Sequence, residues 1–256
     1  MVSYITYTII IIMSDTIIYE YPLTEKIRCY LRIEQLSKQL HAYQSLQQPE
    51  LFKPFFSALF TLAEQVDRGE FKKELLRDLD TRKVSLNQWF DVESIDKEQL
   101  NKLIKKIDSF NFSQAQPNKV HALISQDPLL VQIKNKQSLP GGGCEFDTPL
   151  LHYWQHLPQH QRLSDINKWL APFEQTIEAV TLLLQLLRES STYYEQVATD
   201  GFFQDGCTES QLVRIKVAVH QGCYPCISGY RNRYSIRFIS WNEQPLHDIN
   251  FALACC

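Results

Sequence analysis

The chain has 256 residues, 44% hydrophobic and 21% charged, a composition typical of a globular protein with a sizeable buried core. Its 26 Lys and Arg against 29 Asp and Glu give a net charge of −3, so the overall charge does not favour nucleic acid as a partner. It has only 8 glycines, and Pro140–Cys144 (PGGGC) lacks the Lys-Ser/Thr that completes a phosphate-binding loop, so we interpret it as a hinge.

The chain opens with an apolar segment, MVSYITYTIIIIM, that is too short to span a membrane. It also lacks the basic region and the small-residue cleavage site of a signal peptide. We expect translation to start at Met13, with residues 1–12 a disordered extension or a mis-called start. With no export signal and no membrane insertion, we expect a cytoplasmic protein whose 7 cysteines stay reduced.

The first regular elements are a strand and a long helix. Thr16–Tyr21 (TIIYEY) has the composition of a β-strand, and Pro22 ends it. Thr24 is placed to cap the helix predicted over residues 23–45.

This helix carries a polar stripe headed by two arginines. Arg28, Arg32, Gln35 and Gln39 recur at i, i+4, i+7 and i+11, which places them on one side of a helix. Such a stripe is typical of a solvated face, and it is also what a binding surface for an anionic partner requires.

Further helices follow from the apolar period of 3.6 residues. They are predicted over residues 49–68, 70–89, 96–110, 119–125, 129–136, 148–154, 163–170 and 173–188. Asp127 and Pro128 form a suitable N-cap and N1 pair for the helix that starts at Leu129. Phe173–Arg188 is apolar around much of its circumference, so we expect a central helix or a dimer interface there.

From Thr192 onward the apolar period changes to two, which predicts strands. They cover residues 192–199, 211–219, 227–241 (one strand or two) and 249–255. Helices first and strands last predict an α+β fold: a mostly helical domain over 23–190, then an antiparallel β-domain over 191–256. Because the early strand has no neighbouring strand in sequence, we expect segment 13–22 to join that β-domain.

Two of the predicted strands carry five basic residues on their polar sides. Arg214 and Lys216 alternate with valine and isoleucine, and Arg231, Arg233 and Arg237 alternate with tyrosine, isoleucine and phenylalanine. We expect the five to share one sheet face. Because like charges opposed across a ladder are destabilising, such a face suggests an anionic partner such as an acidic peptide.

A second class of function is raised by the spacing of Cys207, His220, Cys223 and Cys226. The set matches four tetrahedral zinc ligands, and the CYPC core also matches a redox pair. Ordinary reduced cysteines explain the same residues, because neither a zinc knuckle nor a βαβ unit surrounds them.

Catalysis has little support in the sequence. Cys144, Asp147 and His152 lie close together and would supply a nucleophile, an orienting carboxylate and a base. Nothing beyond that proximity favours hydrolysis, and no paired carboxylates stand out, so we expect a protein that is not an enzyme.

Several segments together resemble the ZapD family of bacterial cell-division proteins, which bind FtsZ. They are YPLTEKIRCYLRIE at 21–34, DRGEFKKELLRDLD at 67–80, SLPGGGCEFDTPLLHYW at 138–154, ISGYRNRYSIRF at 227–238 and the terminal FALACC. The resemblance spans nearly the whole chain from about Ser14. Pro128 departs from it, because relatives often carry a basic residue there.

The resemblance implies a helical domain plus a β-domain, a homodimer, and no catalytic activity or cofactor. It also implies that the C-terminal tail of FtsZ binds basic residues in a cleft between the domains. The matching positions are Arg28, Arg32, Arg68, His152, Arg233 and Arg237. A dimer has two tail sites, so it would cross-link FtsZ filaments and stabilise the Z-ring at mid-cell. The cysteine set has no counterpart in the family pattern, so a zinc- or thiol-dependent protein is the rival hypothesis.

Overall fold

The structure, a computed structural model, describes residues 15–44, 52–67, 70–91, 96–110, 119–139, 144–206, 210–230, 233–245 and 247–256. The expectation for residues 1–12 lies outside that range, as do the predicted site residues Arg68, Cys207 and Arg231. The chain divides into two compact units: a helical unit, Cys29–Leu186, and a β-unit that combines Met1–Arg28 with Leu187–Cys256.

Helices follow the first strand and precede the remaining strands. They are α1 (Glu25–Gln44), α2 (Phe52–Val66), α3 (Phe71–Asn87), α4 (Lys97–Ser109), α5 (Lys119–Gln126), α6 (Pro128–Lys136), α7 (Pro149–Gln155), α8 (Gln159–Leu170) and α9 (Glu174–Glu189). None of these helices combines the length and the apolar character that a bilayer crossing requires.

Asp127 links the start of α6 to the core of the helical unit. Its Oδ1 accepts hydrogen bonds from the backbone N–H groups of Leu129 and Leu130 at 2.9 and 3.2 Å, so the predicted cap is confirmed. Its Oδ2 accepts a further hydrogen bond from the Trp169 indole at 2.9 Å. Trp169 is 1% exposed and packs against Trp154, with ring centroids 5.5 Å apart. One carboxylate therefore satisfies a helix end and a buried indole.

Helix α9 is central rather than available for a partner. Most of its apolar side chains, together with Thr176, are buried within one chain: Ala179, Val180, Leu182, Leu183, Leu184 and Leu187. Ile177 and Leu186 are partly buried. The exposed positions Gln175, Glu178, Thr181 and Gln185 form its outer side. The apolar surface that suggested a dimer interface is thus occupied by the core, so we do not retain α9 as a dimer face.

The β-unit contains strands β1 (Thr16–Pro22), β2 (Tyr194–Ala198), β3 (Phe202–Gly206), β4 (Leu212–Ala218), β5 (Cys223–Tyr230), β6 (Arg233–Ser240) and β7 (Ile249–Cys255). They form a first sheet in the order β1-β4-β7-β2 and a second sheet in the order β3-β6-β5, all antiparallel. Strand β1 pairs with β4 in the register Tyr19↔Ile215. The α+β prediction and the joining of the first strand to the later sheet are therefore confirmed.

The two sheets pack face to face around one apolar core. It contains Val213, Ile215 and Val217 from the first sheet and Tyr234, Ile236 and Phe238 from the second. Phe238 and Phe251 meet across it, with ring centroids 5.2 Å apart. Because successive side chains of a strand point to opposite faces, the residues between these apolar positions lie on the outer faces of the sandwich.

Two edge strands differ from the sequence prediction. Strand β3 was not predicted, because FFQDG is short and contains Asp and Gly, which are rare in strands. Strand β5 begins at Cys223, four residues before the predicted start, although Pro225 lies within it. As β5 is at the edge of its sheet, Pro225 can lie in it without breaking the ladder.

Gly229 allows the strand-to-helix connection after β1 to pack against β5. A Cβ atom at this position would lie 3.0 Å from Leu23 Cδ2 and 3.4 Å from Tyr21 Cε1. A side chain there would require the Leu23 side chain to shift by a few tenths of an ångström.

We therefore predict that Gly229→Ala lowers the free energy of unfolding by about 1–3 kcal/mol, because an extra methyl overpacks a filled contact. Denaturant unfolding of the purified protein measures it. Cys226→Ala is the matched control, since Cys226 is exposed on the opposite side of the same strand and should change stability by less than about 0.5 kcal/mol. Equal losses in the two variants would contradict the packing argument.

Candidate partner-binding surface

The basic residues of the strands lie on two different faces, not one. Arg214 and Lys216 belong to β4 and point outward from the first sheet, whereas Arg233 and Arg237 belong to β6 and point outward from the second. The predicted single basic face is therefore wrong. Alternation correctly separated inward from outward residues, but it carries no information on which sheet a strand joins.

Arg214 is engaged within the chain. Glu20, its register partner on β1, accepts hydrogen bonds from Arg214 Nε at 3.0 Å and from Arg188 Nε and Nη2 at 2.8 and 2.6 Å. Arg214 also donates to the backbone carbonyl of Arg188 at 3.1 Å and lies 5.2 Å from the ring centroid of Tyr193. The side chains of Glu20, Arg188 and Arg214 are only 19%, 21% and 14% exposed. Because Arg214 already donates hydrogen bonds within the chain and is largely buried, few of its donors are accessible to a partner.

The outer face of the second sheet is different, and we call it the arginine face. Among its outward residues are Phe202, Gln204, Tyr224, Cys226, Ser228, Arg233, Ser235, Arg237 and Ile239. The only acidic residue of β3, β5 and β6 is Asp205. It is the register partner of the inward Tyr234, so it does not belong to the outward set. Among the described residues, no carboxylate forms an ion pair with the exposed Arg233 or Arg237. As far as the described residues go, the arginine face thus carries positive charge without a paired carboxylate, and such charge attracts anions.

Arg28 lies near Tyr21, which in turn packs against Gly229 of β5. Its guanidinium is 5.9 Å from the ring centroid of Tyr21, whose ring packs at Gly229. It also pairs with Glu25 at 3.1 Å, in an exposed contact of the kind that contributes little stability. Arg32, one turn further along α1, is exposed and belongs to the helical unit.

His152 is half-buried on α7 in the helical unit. Its Nδ1 lies 3.7 Å from Glu145 Oε1, and its ring centroid is 4.6 Å from that of His156. Asp147, the carboxylate that a catalytic interpretation would assign to His152, instead pairs with Lys136 at 3.5 Å. This geometry does not favour hydrolysis.

Cys223 and Cys226, the two cysteines of the CYPC core, do not converge. Cys223 and Cys226 are three residues apart on β5, so their side chains point to opposite faces, opposite Ser240 and Arg237 respectively. No cluster of three or more His, Cys, Asp or Glu within the described part of the chain is placed to hold a metal ion. Burial also raises the pKa of the Cys223 thiol, which makes it a poorer nucleophile. The zinc- or thiol-dependent alternative is therefore not favoured.

Sequence reasoning missed two features of these surfaces. Glu20 and Arg188 are far apart in the chain, and no pattern within either segment pairs them. Gln204 was missed with β3, whereas Ser235 has the same alternation as Arg233 and Arg237 and was visible in the sequence.

Comparison with known proteins shows one consistent relationship. The family model described as ZapD, Cell division protein, matches residues 31–237. Cell division protein ZapD of Vibrio atlanticus (strain LGP32) is 37% identical over 240 residues, covering 93% of this chain and 98% of the relative. The protein of the same name from Pectobacterium atrosepticum is 35% identical over 246 residues, covering 95% and 98%. That of Shigella boydii serotype 4 is 34% identical over 247 residues, covering 95% and 100%.

We predict that Glu20→Ala lowers the free energy of unfolding by about 3 kcal/mol, because it leaves two largely buried guanidinium groups without their shared carboxylate. Glu25→Ala removes an exposed carboxylate that also pairs with an arginine, and it should cost less than about 1 kcal/mol. Denaturant unfolding of both variants gives the comparison. Similar costs would show that burial of the Glu20 contacts contributes nothing.

Proposed function

Because the chain belongs to the ZapD family of cell division proteins, we propose that it is a non-enzymatic adaptor that binds the C-terminal tail of FtsZ. Its role in cell division follows from the family. The tail as ligand is our proposal, and the observation that carries it is the exposure of Arg233 and Arg237 on the arginine face, where neither pairs with a carboxylate of the described residues. Arg28, Arg32, Arg68 and His152 remain candidate contacts because of the resemblance, and Arg231 remains one because of its place in the basic pattern of the sequence.

Arginine suits this role physically. Its planar guanidinium donates two parallel hydrogen bonds to a carboxylate, and it stays charged at every physiological pH. Phe202 and Tyr224, which are 46% and 37% exposed on the same face, add apolar contact area beside the charges. An acidic peptide with some apolar side chains would complement such a surface.

We further propose that the protein acts as a homodimer in the cytoplasm, at the division site. One tail in one site cannot connect two filaments, whereas a particle with two sites can hold tails of different filaments. Filaments present many tails, so two linked sites gain about 10²–10⁴-fold in apparent affinity over one. Cross-linking of this kind would stabilise the Z-ring.

We predict that Arg233→Glu with Arg237→Glu lowers the affinity for a tail peptide at least tenfold, because each change replaces an attraction for an acidic peptide by a like-charge juxtaposition, which costs several kcal/mol. Folding should be nearly unaffected, since exposed substitutions stay within about 0.5 kcal/mol. Lys216→Glu is the control, as it reverses an exposed charge on the opposite side of the sandwich. Unchanged affinity in the folded double variant would refute the assignment of these arginines.

A further prediction concerns valency. When the wild type is mixed with an excess of the Arg233→Glu/Arg237→Glu variant and the subunits exchange, mixed dimers with one functional site should form. Such dimers cannot cross-link filaments, so less FtsZ should sediment at the low centrifugal force that pellets bundles. Tail-peptide binding by the remaining wild-type sites should persist. If the variant does not affect bundling and sedimentation equilibrium gives the 30.0 kDa of one chain, the dimer mechanism is wrong.

A further inference from the structure

The arginine face contains a cavity of about 190 Å³ that is open to solvent. It is lined by Gln204, Ser228, Gly229, Arg233, Tyr234 and Ser235. One water molecule takes up about 30 Å³ of liquid, so the cavity has room for a small polar group and a few waters. Except for Gly229 and Tyr234, the lining residues present polar or charged side chains from the outward side of the sheet.

Three of these side chains form a row across the sheet. Gln204 of β3, Ser235 of β6 and Ser228 of β5 are register partners, one from each strand. The hydroxyl oxygens of Ser228 and Ser235 are 2.8 Å apart, so one hydroxyl donates to the other. The second hydroxyl proton and the amide N–H groups of Gln204 remain as donors for a ligand. We call this set the polar row.

The polar row lies between the two arginines. Arg233 and Arg237 are each two residues from Ser235 on β6 and share its outward face. A strand rises about 3.3 Å per residue, so each arginine stands about 7 Å along the strand from the row. The row therefore combines short-range neutral donors with a positive field from both sides.

We infer that the polar row is a carboxylate-binding subsite of the arginine face. It would receive one carboxylate of a peptide, either the side chain of an Asp or Glu or the α-carboxylate at the C-terminus. The inference rests on the proposed function. It adds that one particular carboxylate of the FtsZ tail binds at the polar row. A carboxylate accepts hydrogen bonds through two oxygens, which matches a hydroxyl and an amide donor beside a guanidinium.

The division of labour follows from the ranges of the two interactions. An exposed arginine attracts any nearby negative charge over several ångströms, so it discriminates poorly between neighbouring acidic residues. A hydroxyl donates only at a heavy-atom distance of about 2.5–3.0 Å and near-linear geometry, so it selects one of them. The arginines supply attraction, and the polar row supplies the register of the peptide.

The test is a double-mutant cycle between the protein and tail peptides. On the protein side, Ser228→Ala with Ser235→Ala removes both hydroxyls together, so neither is left without its partner. On the peptide side, each Asp or Glu is replaced in turn by its amide, and the C-terminal carboxylate is amidated in a separate peptide. Ser240→Ala is the matched control, because Ser240 is on the same strand but outside the polar row.

We expect the double serine variant to bind the unmodified tail about tenfold more weakly, while Ser240→Ala binds like wild type. One peptide change, and only one, should weaken binding to wild type but not to the double serine variant. If that change is an acidic side chain, the polar row binds a side-chain carboxylate. If it is the amidated terminus, the row binds the α-carboxylate.

Two results would overturn the inference, and they have different meanings. If wild type binds the tail and every peptide change weakens wild type and variant alike, the polar row is not a subsite, although the proposed function stands. If wild type does not bind the tail at all, the proposed function fails and the subsite fails with it. Gln204→Ala, an exposed change on an edge strand, tests the same row should the serine variant unfold.

Discussion

The pairing of β1 with β4, anchored by Glu20, is the contact on which the β-unit depends. It joins a strand near the start of the sequence to a sheet whose other strands come from the C-terminal part, and the whole helical unit separates the two in the sequence. Closing so long a loop costs little more than closing a shorter one, because the entropy grows only with the logarithm of its length. An edge strand, however, has ladder hydrogen bonds on one side only. The carboxylate of Glu20 adds side-chain contacts to Arg214 of β4 and to Arg188 at the end of α9.

The same residue type has different surroundings on the two sides of the sandwich. Arg214 is 14% exposed and shares a carboxylate with Arg188, so its charge is compensated and its position fixed. Arg233 and Arg237 are exposed on a face whose strands place no carboxylate outward. Neither the composition nor the local sequence pattern distinguishes Arg214 from Arg233 and Arg237. Whether a strand arginine holds the fold together or meets a partner depends on what lies opposite it in three dimensions.

Local signals in the sequence predicted local structure well. The cap at Asp127, the alternation of β4 and β6, and the joining of Thr16–Tyr21 to the later sheet are all confirmed, because each depends on short-range spacing or on a strand needing a neighbour. The assignment of strands to sheets was not predictable in this way. Arg214 and Arg237 show the same alternation, yet the strands between them cross from one sheet to the other.

The candidate site was therefore predictable in its residue types and not in its arrangement. Arg233 and Arg237 were found from their parity alone, but Gln204 depends on an unpredicted strand, and Ser228 becomes significant only when its register with Ser235 is known. Likewise, Cys223 and Cys226 have the spacing of two metal ligands, but that spacing brings two thiols together only when the segment forms a turn. The same spacing in a strand places the two thiols on opposite faces.

The exposure of the arginine face also bears on how an adaptor of this kind would work. Charge contacts that stay accessible to water are individually weak, and salt screens them over about 8 Å at physiological ionic strength. On the proposed function, one site would therefore hold one tail only briefly. Two sites on one particle change this, because a tail that dissociates rebinds before the second site releases. A shallow charged face thus allows strong attachment to a filament that displays many tails, and exchange when tails are sparse. A deep, desolvated pocket would lose that dependence on tail density, so the openness of the arginine face suits a cross-linker of dynamic filaments better than a tighter site would.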